Sequence, residues 1–246
     1  MKTLTRTLGS LAAAIALALP VQAATLSLTD LLEGGSITAG DKLFDNWSID
    51  FYDSSDPERS FDSDNIDVTS LDDGGDEPGP GLQFDISNGE LTVDGDDIYA
   101  YVDLTFGFRV SVLPGAGKLI KDNSLAITDW LQAWTADGFS DLGMTIVETI
   151  GTAPGLDDLG DKAVERSVLD DVVSDDALLT DSAAFAPQGE IWVTKNILVW
   201  ATDAGDQANL YQFTQRFSQQ SVPEPGSLAL VALALAGLGV AARRRG

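Results

Sequence analysis

The chain has no cysteine and no histidine in its 246 residues. Without cysteine there is no disulfide, no thiolate nucleophile and no thiolate metal site. Without histidine, Ser-His-Asp catalysis, imidazole general bases and the usual zinc or iron ligand sets are excluded within this chain. Any chemistry it performs has to come from carboxylates, Lys, Tyr, Ser or a hard cation. Basic residues are also scarce, 14 Lys+Arg against 39 Asp+Glu, for a net charge of -25. Residues 24–222 keep 9 basic and 38 acidic residues, a net charge of -29, because five of the cations stand at the two ends. Nucleic acid is excluded as a partner on that balance, since phosphate binding needs clustered Lys and Arg. An acidic surface of this kind favours solubility, repels other copies and draws cations.

Long apolar runs are confined to the two ends. At the start, Lys2 and Arg6 precede an apolar run over 8–19, and Pro20, Val21, Gln22 and Ala23 follow. This three-part order reads as a signal peptide over 1–23, cleaved after Ala23, with Val21 and Ala23 as the small residues that fit the peptidase pocket. At the other end, Val222, Pro223, Glu224, Pro225, Gly226 and Ser227 precede an apolar run over 228–242 that stops at Arg243, Arg244 and Arg245. As a helix this run reaches about 22 Å, short of the roughly 30 Å hydrocarbon layer, so it spans a membrane only with local thinning. It has no polar face and is closed by three cations, which does not suit a helix of a globular core. The arginines place the C-terminus in the cytoplasm and everything before Pro223 outside, and Lys2 and Arg6 demand the same topology. Gly237, Leu238 and Gly239 lack a preceding strand and lie inside the apolar run, so they read as small-residue packing rather than a dinucleotide fingerprint.

This C-terminal order, with Val-Pro-Glu-Pro, small residues, a Leu/Ala/Gly-rich span and the cluster Arg243 to Arg245, resembles the PEP-CTERM sorting tail of exosortase substrates. The resemblance covers residues 222–246. It implies recognition by a multi-pass membrane exosortase at Pro223, Glu224 and Pro225, and retention at the inner membrane with a periplasmic ectodomain until the tail is removed. Delivery to the cell surface or to exopolysaccharide follows. The stretches 34–44, 81–84 and 211–219 loosely resemble ectodomains of PEP-CTERM proteins, which implies an export context and no particular chemistry.

Between the ends, strand periodicity dominates. From Ile98 to Val112 every even position is apolar, which predicts one long half-buried strand or a bent pair, with Gly107 at a bend or bulge. Shorter alternations surround Trp47, Ile49 and Phe51, Leu82, Phe84 and Ile86, and Tyr211, Phe213 and Phe217. Further strands are expected at 125–127, 144–150 and 191–200, the last apolar on both faces and therefore central. Turn pairs such as Asn88-Gly89, Asp94-Gly95, Pro114-Gly115 and Pro154-Gly155 separate them. One helical turn is expected at 29–32 and another at 129–136, and 162–173 reads equally as short helix or strand. The fold class is therefore all-β, an antiparallel β-sandwich or jelly-roll-like ectodomain over 24–221, flanked by the signal peptide and by a tail whose transmembrane helix is 228–242.

Acidic residues crowd the stretch 53–77, which reads as a solvated loop. The sharper expectation is a Ca²⁺ site made from Asp62, Asp64, Asp67, Asp72 and Asp73, because a hard cation takes six to eight oxygens. Ile66 interrupts an EF-hand-like pattern there and no glycine follows. Asp94-Gly95-Asp96-Asp97 reads as a hairpin turn. Trp130, Trp134, Trp192 and Trp200 would stack on sugars where exposed and otherwise pack in or beside the core. The functional expectation is an exported, non-catalytic surface or extracellular-matrix protein linked to exopolysaccharide or biofilm. Signal peptidase and exosortase are its processing partners, and it needs no cofactor unless Ca²⁺ binds. One alternative is a Ca²⁺-assisted carbohydrate-binding module. The other is a carboxylate-dependent glycosidase or lyase, which requires two buried carboxylates facing each other across a groove.

Overall fold

The computed structural model describes residues 23–135, 139–174 and 176–222. In chain order the elements are β1 (Thr25–Ser27), α1 (Leu28–Leu32), β2 (Ile37–Ala39), β3 (Lys42–Ser54), β4 (Ile66–Leu71), β5 (Gly81–Ile86), β6 (Thr92–Asp94) and β7 (Ala100–Val112). They continue with β8 (Lys118–Ala133), β9 (Asp141–Gly151), β10 (Gly160–Leu169), β11 (Val172–Val173), β12 (Thr180–Gln188), β13 (Glu190–Ala201), β14 (Gln207–Arg216) and β15 (Gln219–Ser221). Two sheets form from these strands. One has the order β1-β4-β5-β14-β8-β12, with β6 on β14 and β15 on β8; the other has the order β11-β10-β9-β13-β7-β3-β2. The long strands β7, β9 and β13 pair antiparallel in full register. We call the first sheet A and the second sheet B.

Alternation is what turns these strands inward. In β7, Val102, Leu104, Phe106, Phe108 and Val110 are buried, and in β13, Ile191, Val193, Ile197, Val199 and Ala201 are buried. Sheet A supplies Val68, Leu82, Phe84, Ile120, Leu125, Ile127, Leu210 and Phe213 from the opposite side. Aromatic rings pack within each sheet, where Phe84 stacks on Phe213 at 4.4 Å in sheet A and Trp47 on Phe108 at 4.5 Å in sheet B, and between the sheets, where Phe84 meets Phe106 at 5.7 Å and Trp47 at 6.3 Å. Such pairs add about 0.5–1.5 kcal/mol beyond the area they bury. Helix α1 begins at Ser27, whose hydroxyl accepts from the Asp30 amide at 3.2 Å, and it buries Leu28 and Leu31 completely.

Several expectations change on contact with the fold. Residues 129–133 continue β8 rather than forming a helical turn, because they pair with β14. Residues 160–169 are strand β10, paired along their whole length with β9. The acidic stretch 53–77 is not one loop, since β4 crosses it between β1 and β5. The β7 alternation starts at Ala100, not Ile98, whose side chain is 82% exposed. There the Asp96 carboxylate accepts from the amides of Ile98 and Tyr99, both at 3.0 Å, and bends the chain before the strand begins. Among the described residues no helix is long and apolar enough to cross a membrane. The apolar runs 8–19 and 228–242 lie outside the described residues.

Candidate functional site

The most unusual chemistry lies between the sheets. In β13 the inward set reads Ile191, Val193, Lys195, Ile197, Val199, so a lysine stands where the period requires an aliphatic residue. In β9 the inward set reads Met144, Ile146, Glu148, Ile150, and in β10 Lys162 precedes Val164 in the same phase. The register sets Lys162 opposite Glu148, and Glu148 opposite Lys195, so three charged side chains form one inward row across β10, β9 and β13. Sheet A answers with Asn123 of β8 and Gln215 of β14, both fully buried.

The hydrogen bonds converge on the Glu148 carboxylate. Its Oε1 accepts from Lys162 Nζ at 2.5 Å, from Asn123 Nδ2 at 2.5 Å and from Gln215 Nε2 at 2.9 Å. Its Oε2 pairs with Lys195 Nζ. Gln215 Nε2 also donates to Asn123 Oδ1 at 3.0 Å, while Gln215 Oε1 is buried without a partner. Lys195 Nζ sits 6.0 Å from the Phe108 ring centre and 5.8 Å from that of Phe213. The charged side chains of this row are wholly removed from solvent. Burial pushes the Lys195 ammonium down to about 8; attraction to Glu148 opposes the shift, and repulsion from Lys162 adds to it. Burial on its own would raise Glu148, but the attraction of Lys195 and Lys162 and their hydrogen bonds outweigh it and hold the carboxyl below its ordinary value. Two ammonium groups thus share one carboxylate in an apolar shell.

A second feature is a pocket of about 270 Å³ on the outer face of sheet B, lined by Ser48, Asp50, Gly107, Pro154, Trp192 and Thr194 among others. Register places Ser48, Gly107, Thr194 and Thr149 in one row across β3, β7, β13 and β9. Gly107 leaves the floor bare: a Cβ there would come within 3.1 Å of the Val193 carbonyl and 3.6 Å of Asp50 Oδ2. Ser48 Oγ donates to Asp50 Oδ1 at 3.0 Å. Trp192 forms one wall, with the Arg109 guanidinium 5.9 Å from its ring centre. Arg109 is itself held in a two-point grip by Asp45, Nε to Oδ1 and Nη2 to Oδ2, each at 2.8 Å. That grip raises the Arg109 pKa further above its ordinary value. On sheet A a larger hollow of about 380 Å³ is lined by short side chains, Ser124, Leu125, Ala126, Thr180, Asp181, Ser182 and Thr214, with no aromatic wall.

The residues singled out from the sequence are scattered. Asp62 caps the 3-10 turn Ser63–Asn65 and accepts from the Asp64 amide at 3.1 Å. Asp67 is exposed on β4. Asp72 accepts from the Gly40 amide at 2.7 Å, and Asp73 pairs with Arg216 at 2.6 Å, which holds its carboxyl below its ordinary value. Asp62, Asp72 and Asp73 serve separate local bonds, Asp64 and Asp67 are exposed, and among the described residues no group of three or more ligand-type side chains gathers as a metal cage. Trp200 donates to Asp141 at 2.9 Å and covers Gly143, where a Cβ would come within 2.6 Å of the indole. Trp130 and Trp134 pack against the core. Ala23 begins the described chain and is exposed. Val21, Pro223, Glu224, Pro225, Arg243, Arg244 and Arg245 lie outside the described residues. The inward row of Lys162, Glu148 and Lys195 is absent from the sequence-based expectations, although a charged residue in the buried phase of an apolar strand is a readable signal.

The fold defines an all-β sandwich of antiparallel sheets. Residues 221–245 match the PEP-CTERM protein-sorting motif, which implies exosortase processing and export toward the cell surface. Comparison with curated proteins finds no match. Among solved structures, TmCBM61 in complex with beta-1,4-galactotriose is 12% identical over 72% of this chain and 88% of that one, with a TM-score of 0.24. The Trichoderma harzianum endoglucanase 3 of family GH12 is 10% identical over 70% and 97% of the two chains, with a TM-score of 0.19. Similarity at these levels carries no argument about ligand or activity.

Proposed function

We propose that this protein is an exported, non-catalytic component of the cell surface or extracellular matrix. In this reading signal peptidase removes residues 1–23, the tail holds the ectodomain at the inner membrane, and an exosortase then releases it to the surface or to exopolysaccharide. The observation that carries the proposal is the sorting motif at 221–245 joined directly to the sandwich. The last strand, β15, pairs with β8, and the Val222 amide still donates to the Gly117 carbonyl at 2.8 Å, one residue before Pro223. Proline at 223 and 225 disfavours helix, which suits presentation of the motif to an enzyme at the membrane. A non-catalytic role is supported by the placement of the buried carboxylates. Glu90 accepts from the Asp62 amide and Asn65, Asp206 meets Ser140, and Glu148 is enclosed between the sheets.

Replacing Pro223 and Glu224 together by Ala tests this in a host with its exosortase, using fractionation and mass spectrometry of the mature C-terminus. Full-length protein should accumulate in the inner membrane with its fold intact. Trimming and release at the wild-type rate would refute the sorting role.

A second reading, carbohydrate binding without Ca²⁺, is favoured by the pocket over Gly107. One indole wall beside a hydroxyl and carboxylate pair matches a pyranose, which has an apolar face and a hydroxylated rim. Titration calorimetry against neutral polysaccharides should then show binding that Trp192→Ala removes. Equal binding by the variant would dismiss the site.

A further inference from the structure

We propose that Lys162 and Asn123 are placed to join through their side chains, forming an amide that ties β10 of sheet B to β8 of sheet A, with Glu148 as the proton carrier. The two nitrogens share an acceptor. Lys162 Nζ and Asn123 Nδ2 both lie 2.5 Å from Glu148 Oε1, so amine and carboxamide are within two such lengths of each other. Gln215 Nε2 is 3.0 Å from Asn123 Oδ1, the oxygen on which negative charge would build during attack. Gln215 Oε1, buried and without a partner, is free to receive an N–H. Nucleophile, electrophile, acid-base group and oxyanion donor therefore stand in one buried cluster.

The step balances within these groups. Glu148 takes a proton from the Lys162 ammonium, and the freed lone pair attacks Asn123 Cγ to form the new C–N bond. The carbonyl electron pair moves to Oδ1 under the Gln215 N–H. When it returns, the C–Nδ2 bond breaks. Protons passed through Glu148 leave with the departing nitrogen, so one ammonium plus one carboxamide become one secondary amide plus a released ammonium ion. Glu148 ends as a carboxylate. No oxidant, reductant or water is consumed.

The surroundings favour this direction. Before the step the row holds two ammonium groups against one carboxylate, and an unpaired buried charge is costly. After it, the surplus cation has gone and Glu148 keeps Lys195 as a one-to-one partner. Full enclosure of Lys162 and Glu148 excludes water as a competing nucleophile. Holding the reactants side by side replaces the encounter that makes uncatalysed amide exchange slow. Lys195 also contacts the carboxylate, but through Oε2, on the side of Phe108 and Phe213 and away from Asn123's shared oxygen. In a chain with no cysteine, such a link would serve as its covalent staple.

Protease digestion and mass spectrometry of the purified full-length protein, its β content first checked by far-UV circular dichroism, test the proposal. A branched peptide joining Lys162 to Asn123 is expected, lighter by one ammonia than the two linear peptides combined. Lys162→Arg, which keeps the charge but cannot form the amide, and Glu148→Gln, which removes the proton carrier, should give linear peptides only. Folded wild-type protein in which Lys162 and Asn123 appear solely in linear peptides would overturn the proposal. So would a branch through Lys195, or a Glu148→Gln chain that still forms the link. If a variant does not fold, the wild-type digest decides alone.

Discussion

The acidic stretch 53–77 and the inward row of Lys162, Glu148 and Lys195 are both places where one sign of charge outnumbers the other, yet they are stabilised in opposite ways. The stretch holds ten acids and a single basic residue, Arg59. Nearly all of those acids face solvent, where water and salt reduce their repulsion, and several cap turns or accept backbone amides. The row has an excess of only one charge, but it is enclosed on every side. In that setting each surplus charge has to be offset by a specific atom, and the Glu148 carboxylate with its four donors supplies the offset. What matters is the medium around a charge more than the number of charges.

The comparison breaks most visibly at Glu148. Replacing Glu148 by Ala leaves buried ammonium groups with no counter-ion and should cost about 3–5 kcal/mol in urea denaturation. Adding Lys162→Met and Lys195→Met to that variant should recover much of the loss, since an apolar trio leaves no buried charge unpaired. A single Glu148→Ala variant as stable as wild type would mean that the row is solvated.

Titration sharpens the same contrast. The folded pKa of Lys195, about 8, lies below its ordinary 10.5, so between these values the unfolded chain binds more protons than the folded one. Stability should therefore rise with pH across that window, by at most about 3 kcal/mol, as long as both amines are free. Glu148 acts at the other end. Its folded pKa is below the ordinary 4.5, so its contribution is complete above 4.5 and is lost as pH falls through the lower folded value. Denaturation midpoints measured across pH should show both limbs, and Lys195→Met should flatten the alkaline one.

Salt separates the two regions with a smaller effect. Raising ionic strength screens repulsion on a surface of net charge -25, so the melting temperature should climb modestly from low to moderate salt. The Glu148→Ala deficit should not change over the same range, because the row is beyond the reach of ions. The smallest effect is expected at Asp64, exposed on its turn, where Asp64→Asn should stay within about 0.5 kcal/mol of wild type.

Much of the sandwich was legible in one dimension. A period of two over 100–112 and near-continuous apolarity over 191–200 identified β7 and the central β13, because the side-chain phase of a strand is local information. Local propensity misled at 129–136 and was ambiguous at 162–173. There the decision lay with hydrogen-bonding partners distant in sequence, β14 in one case and β9 in the other. The pocket over Gly107 was equally hidden, since Ser48, Gly107 and Thr194 become neighbours only through register.

The sequence by itself determined the sorting motif at 221–245, the β character of the middle and the limits on its chemistry, because composition, short motifs and strand phase are carried by neighbouring residues. It also displayed Lys195 in a buried phase, without saying what would meet it. Only the tertiary structure decided that. Glu148 is 47 residues from Lys195, 14 from Lys162, 25 from Asn123 and 67 from Gln215. Sheet register and the packing of sheet A on sheet B bring them to one carboxylate, and the loss of water around it gives two lysines, an asparagine and a glutamine a chemistry that none of them has in the open chain.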